Sequence, residues 1–306
     1  MFAFIVRRLL ITIPMVLIVV SLTWGLIRLA PGNFYDNEKA LPKSVEKNIR
    51  EKYGLDKPWY VQYGKMISGV ARGDFGTSLK YEGQSVNQIL ARTLPVSATL
   101  GLLAFLLAFA VGVTTGTIAA LRQNSRLDYS TMAFAMLGIS LPNFVLGPLL
   151  VLVFSLTLYW LPPARWNGFP STSVILPVIT LAGVYMAYIA RLTRSGMLEV
   201  LRADYIRTAR AKGLRERDIV IRHALRGGLL PVVSFTGPAL AFLITGAVVV
   251  ERIFALPGLG NYFINANLNR DEPLIIGIVA FVSITVLIFN LLFDIAYGLI
   301  DPRIRY

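Results

Sequence analysis

Cysteine is absent from all 306 residues. That excludes a disulfide framework, a cysteine zinc site and a thiol nucleophile. Histidine occurs once, as His223, which rules out a cluster of histidine metal ligands and leaves a single residue for any Ser-His-Asp triad, so the composition disfavours both chemistries. Charge is scarce: 15% of residues are Asp, Glu, Lys or Arg, where soluble domains carry about 25%. Acid is scarcer still, with 17 carboxylates against 30 Lys and Arg and a net charge of +13. No phosphate cradle of the form GxxxxGKS or GxxxxGKT occurs. Gly64-Lys65-Met66 lacks both the earlier glycine and the hydroxyl, so the chain alone is not a P-loop ATPase. Ionisable residues within apolar runs are few. Asp294 is the clearest, and it lies near the inner end of the last run, where a carboxylate is less costly than at the bilayer centre. An ion-coupled secondary transporter would carry more such groups and repeated halves.

What is present is apolar. Hydrophobic residues make up 55% of the chain and the mean hydropathy is +0.63. The expected class is an all-α integral membrane protein. A pI near 10.1 would suit a nucleic-acid binder. The basic residues, however, fall in loops between apolar runs, where the positive-inside rule explains them. The expected contact is membrane lipid, with no nucleic acid.

Taken in order, Arg7 and Arg8 precede an apolar run at 9–26, long enough for a core of about 30 Å. No small-residue cleavage site precedes Pro31, which disfavours a signal peptide. Residues 1–30 are therefore a tail and first span, 31–94 a polar external insert, and 95–306 the remaining core. The insert reads as two helices, over 41–54 and 60–71, lying on the membrane helices as a cap. The second span is 96–121, where Gly112 and Gly116 at GxxxG spacing suit close helix contact. The next run, 129–161, is too long for one straight crossing, and Pro142 kinks or breaks it. A broken helix at depth can line a pathway, which makes Ser140, Pro142 and Phe144 pathway candidates; a plain kink fits the sequence equally. Trp160 and Trp166 flank a short external loop. Further spans follow at 175–190, 232–250 and 274–300, with an external loop at 251–272. Basic loops alternate with the others, so six spans with both termini on the cytoplasmic side satisfy every loop.

The longest polar interval of the second half is 191–231, and it is the most basic. It reads as a helix–turn–helix. Asp204 N-caps a helix from Tyr205, and Gly213 ends it in a left-handed turn. A second helix over 215–225 has Ile219, Ile221 and Leu225 partly on one face. Charge alone also fits a solvated loop that only sets orientation.

This interval resembles the cytoplasmic EAA loop of bacterial ABC importer permeases. Ala209 stands at the second Ala of that pattern, Gly213 at its Gly and Leu225 at its Leu. Arg207, Thr208 and Arg226 depart from its Glu, first Ala and Pro. Around it, YGLDKPWYVQY, GDFGTS, YIRTARAKGL, IRHAL and VERIFALPGLG are similar to the B-type permease subunits of peptide importers, over almost the whole chain. GDFGTSLKY, LNRDEP and IDPRIRY point to the oligopeptide branch; dipeptide, glutathione and nickel importers use similar subunits. The resemblance implies a type I ABC importer permease fold in the bacterial inner membrane, with a periplasmic insert after helix 1. It implies half of a heterodimeric pathway with a C-type permease subunit, two ATPase subunits and a periplasmic peptide-binding protein. ATP and magnesium would be used by the ATPases; this chain would be no enzyme and would bind no cofactor or metal. The coupling residues it implies are Asp204, Tyr205, Arg207, Thr208, Ala209, Arg210, Ala211, Lys212, Gly213, Leu214 and His223, with Ala209 facing the ATPase groove. The external loops suggest an outer gate or docking face at Glu251, Phe254, Pro257, Gly258, Gly260 and Asn261, although they would also serve simply as caps on helix ends.

Overall fold

The computed structural model describes residues 2–30, 51, 54, 56–163, 165–245 and 248–300. The expected helix at 41–54 and the tail at 301–306 lie outside them. Among the described residues the structure is helical, with one isolated bridge between Thr77 and Ser85.

Helix α1, Phe2–Leu29, is the first span. Helix α2, Trp59–Arg72, belongs to the insert and ends at Gly73 in the left-handed region. Its Tyr63, Met66, Ile67 and Val70 pack on Val16, Val20 and Trp24 of α1 and on Ile276 and Ala280 of the last helix. The insert thus lies on the spans as a cap.

Helix α3, Val86–Leu121, starts well before the expected 96. Ser85 and Gln88 form a reciprocal capping box that fixes the start. Pro95 sits inside the helix without ending it, as proline does where neighbouring helices support the backbone. The insert therefore ends at Ser85 rather than 94, and Val86, Ile89 and Leu90 join an apolar cluster with Leu259, Leu274 and Ile275.

Helix α4, Arg126–Ser140, meets helix α5, Asn143–Leu150, at a bend of 104°, and wider π-type turns continue α5 over Val151–Thr157. Leu141 is extended (φ −101°, ψ 115°), as a residue before proline prefers, and Pro142 then opens α5. The break expected at Pro142 is present. Helix α6, Ile175–Leu201, runs straight into the polar segment, so its helical length exceeds the expected 175–190. There follow α7, Asp204–Ala211, and α8, Glu216–Asp218. A π-type stretch, Ile219–Ala224, joins α8 to α9, Leu225–Gly228, and α10, Leu230–Ile244, follows. Helix α11, Val248–Ile253, completes the fifth passage; α12, Leu259–Leu268, and α13, Glu272–Ile300, complete the described chain.

Small residues set the helix spacing. A Cβ on Gly112 would stand 2.8 Å from Ile189 Cγ2 and 2.9 Å from the Met186 carbonyl, so α3 and α6 touch backbone to side chain there. Gly116 meets the Ala190 carbonyl, Gly101 meets Leu243, and Gly138 meets Gly183 in the same way. These pairings also give direction. Positions 112 and 116 meet 189 and 190, so α3 and α6 are parallel. Gly101 meets Leu243 while Ser97 meets Glu251, and Gly138 meets Gly183 while Asp128 meets Arg194, so the passage of α10 and α11 opposes α3 and α4 opposes α6. The bent α4–α5 unit must then carry the chain from one end of the bundle to the other. It counts as one passage, and among the described residues the passages number six.

Candidate functional site

The basic end of the molecule gathers the α3–α4 turn, the end of α6 and the helices α7 to α9. Helix α7 begins at Asp204, with Ala203 at the N-cap and no side-chain cap. Asp204 is therefore not the cap expected of it. As the first helical residue it instead faces the positive end of the helix dipole and pairs with Arg207 at 3.2 Å. The other end follows expectation. Gly213 holds φ 76°, its N–H donates to the Arg210 carbonyl at 2.9 Å, and the Leu214 N–H donates to the Ala209 carbonyl at 3.4 Å. That is a Schellman motif, which turns the chain sharply into α8. Arg210 Nε donates to Glu216 Oε1 at 2.7 Å across this turn, and the bond holds the Arg210 guanidinium above its ordinary pKa.

The two faces of α7 differ. Ile206 and Ala209 are buried against Met197, Ile219 and Ala224 of this same chain. Ala209 thus does not face outward as expected. Its methyl group packs in the contact between α7 and the π-type stretch. Tyr205, Arg207, Thr208, Arg210, Ala211, Lys212 and Leu214 are exposed, Tyr205 at 49%. His223 is exposed on the π-type stretch, and so is Ile221, against the expectation that it lies partly on one face with Ile219 and Leu225. Two residues apart on a helical stretch, Ile219 and Ile221 point to opposite sides.

Beneath α7 lies a contact that the charge pattern did not single out. Asp128, 2% exposed, accepts from Arg194 Nε and Nη2 at 2.7 Å each, and from the Asn124 N–H at 2.9 Å. This bidentate pair fastens the α3–α4 turn to α6. In sequence, Asp128 reads as one charge in a short loop; its partner is 66 residues away.

At the other end, the expected outer-gate residues divide. Pro257 is exposed and Asn261 half-buried, but Glu251, Phe254, Gly258 and Gly260 are buried. Glu251 lies within α11, not in an external loop, because the helix runs on past 250 to Ile253. Its side chain turns into the bundle. Glu251, Gly258 and Gly260 pack together in the interior, and Phe254 lies beside Gly147. Asp271, also buried, receives the N–H groups of Leu79 at 3.0 Å and Lys80 at 3.2 Å and the Ser78 hydroxyl, so it pins the insert to the start of α13. The pathway candidates stand together at the α4–α5 elbow. Ser140, Pro142 and Phe144 are all exposed on this chain, and the Ser140 hydroxyl donates to the Met136 carbonyl at 3.0 Å.

Six helical passages among the described residues, with a short exposed helix at the basic end, are the architecture of a membrane permease. The chain belongs to the family of binding-protein-dependent transport system inner membrane components, whose model matches residues 112–306, and the N-terminal model of the same system matches residues 1–101. It is a multi-pass inner-membrane permease subunit. Among its relatives, the oligopeptide transport system permease protein OppB of Salmonella typhimurium is 49% identical over 306 residues, covering all of both chains. That of Haemophilus influenzae is 47% identical with the same coverage. The dipeptide transport system permease protein DppB of Bacillus subtilis is 44% identical over 290 residues, 95% of this chain and 94% of that one. The inward-facing MetNI methionine ABC transporter superposes with a TM-score of 0.57 at 16% identity, over 70% of this chain and 96% of that one. A second crystal form gives 0.59 at 15% identity. This likeness establishes the fold.

Proposed function

We propose that this chain is the permease subunit of an ATP-driven importer for oligopeptides. It forms one half of the translocation pathway beside a C-type permease subunit. Two ATPase subunits use ATP and magnesium on the cytoplasmic side, and a periplasmic peptide-binding protein delivers the substrate. The carrying observation is identity of 47–49% along the full length to relatives that bear the oligopeptide permease name. The exposed face of α7 supports the coupling role: Tyr205, Arg207, Thr208 and Leu214 offer a shaped, mixed apolar and basic surface on a short helix with a fixed exit angle. An ATPase that rearranges on binding nucleotide moves such a helix only if it grips it differently in its two states. The dipeptide-permease relative, at 44% identity, favours a second reading in which the cargo is a dipeptide.

The test is reconstitution of the full complex in sealed vesicles with the binding protein outside. Labelled tri-alanine should accumulate only with ATP inside the lumen that faces the ATPases. Uptake of di-alanine with exclusion of tri-alanine selects the second reading, and ATP-independent uptake driven by a proton gradient overturns both.

A further inference from the structure

Glu251 is 1% exposed, yet nothing in a six-span packing scheme requires a carboxyl group there. Its Oε1 accepts from the Ser97 hydroxyl at 2.6 Å, and its Oε2 from the Gly260 N–H at 2.7 Å. The Ser97 oxygen in turn accepts from the Leu259 N–H at 2.9 Å. The carboxyl group is therefore satisfied on both sides, as burial demands. It joins positions 154 residues apart in the chain. The loop is shaped around it. A Cβ on Gly258 would fall on the carboxyl carbon, and one on Gly260 would stand 2.9 Å from Oε2. The two glycines of LPGLG thus leave the space that the side chain of Glu251 fills.

The side chain of Glu251 attaches this piece to α3. Helix α10 spans Leu230–Ile244 and α11 spans Val248–Ile253. Its buried carboxyl group reaches sideways to α3. From Ser97, α3 runs unbroken to Leu121. Along the way Gly112 and Gly116 seat it on α6, and at the far end Arg202 Nη2 donates to Gln123 Oε1 at 3.3 Å. Helix α6 leads directly into the docking helix α7. One stiff pair of helices therefore connects the docking helix to the loop at 254–258.

We propose that Ser97 and Glu251 form a pin that makes the outer piece, α11 to α12, travel with α3 when the docking helix moves. Both are positioning residues: they touch no cargo and act by aiming the outer loop. The proposal rests on the importer reading above. A pin of this kind sets how much peptide moves per ATP and leaves the ATPases' own turnover alone.

The experiment uses the complete transporter in vesicles and records ATP hydrolysis and tri-alanine accumulation together. Ser97→Ala should keep basal hydrolysis and lower peptide moved per ATP by about tenfold, the scale of an inter-site coupling. Ser97→Thr, which keeps the hydroxyl, should restore it. A wild-type ratio in Ser97→Ala overturns the pin. Should Ser97→Ala fail to assemble, spin labels on Pro257→Cys and Thr114→Cys decide the matter in an otherwise wild-type chain, which has no cysteine of its own. One body predicts the same label separation in the nucleotide-free and vanadate-trapped states, and a changed separation overturns the proposal. Wild-type vesicles that accumulate no peptide overturn the importer reading, and a wild-type complex that transports while its labels separate overturns the pin alone.

Discussion

Gly213 holds a left-handed backbone with no atom within 4 Å of where a Cβ would stand. The penalty of replacing it is therefore conformational, about 1–2 kcal/mol for an ordinary residue and worse for a β-branched one. Gly213→Val should reach normal abundance but mis-aim α7, losing peptide uptake and retention of the ATPases in detergent, while Gly213→Asn, which tolerates this region, should keep both. Full uptake with Gly213→Val would sink the coupling role of α7. Ala209→Glu is a different experiment from the one its motif position suggests. The residue is buried inside this chain, so a glutamate there should lower abundance before any partner is involved. Arg217→Ala, at an exposed site, should change neither property. The contrast shows what the sequence could yield at this scale. A glycine after a short basic helix announces a turn by itself. The burial of Ala209 depends on Met197 and Ala224, which come from neighbouring elements and leave no mark at position 209.

At the scale of elements, buried carboxylates do the fastening. Asp271 caps α13, accepting from the Leu274 N–H at 3.3 Å, and also takes the backbone of Leu79 and Lys80. Asp271→Ala would leave buried donors without that acceptor, at about 1–3 kcal/mol. The expected result is a lower Tm in detergent and faster proteolytic nicking near 73–85. Unchanged nicking with a normal Tm would mean that apolar packing alone holds the insert. Such fastenings explain why the sequence reading succeeded on spans and faltered on boundaries. Apolar length announces a passage, and Pro142 announces a break. But α3 starts at Val86 because a capping box forms there and Pro95 is tolerated, and Glu251 enters the bundle because Ser97 receives it. A lone acidic residue beside an apolar run looks like the start of a loop unless its distant partner is known.

At the scale of the molecule, the two ends are chemically distinct. Asp128 with Arg194, and Gln123 with Arg202, place the α3–α4 turn and the α6–α7 segment at one end. Ser78 with Asp271, and Ser97 with Glu251, place the insert, the start of α3 and α12 at the other. The first end carries Arg122, Arg126, Arg202, Arg207, Lys212, Arg215, Arg217 and Arg222 on short connections, which is where the positive-inside rule acts. The second carries the long insert, whose length exempts its lysines. Helix directions make the bent α4–α5 unit a full passage, so the sides alternate from one described passage to the next. The basic end should therefore face the cytoplasm. Because the chain lacks cysteine, single substitutions report position cleanly. Glu82→Cys and Arg217→Cys both replace exposed residues, one at each end. A membrane-impermeant maleimide added to intact spheroplasts should label Glu82→Cys and spare Arg217→Cys until the membrane is permeabilised. Labelling of both from outside, or of neither, would mean that the bent unit fails to cross, and a reversed pattern would turn the docking helix away from any cytoplasmic ATPase.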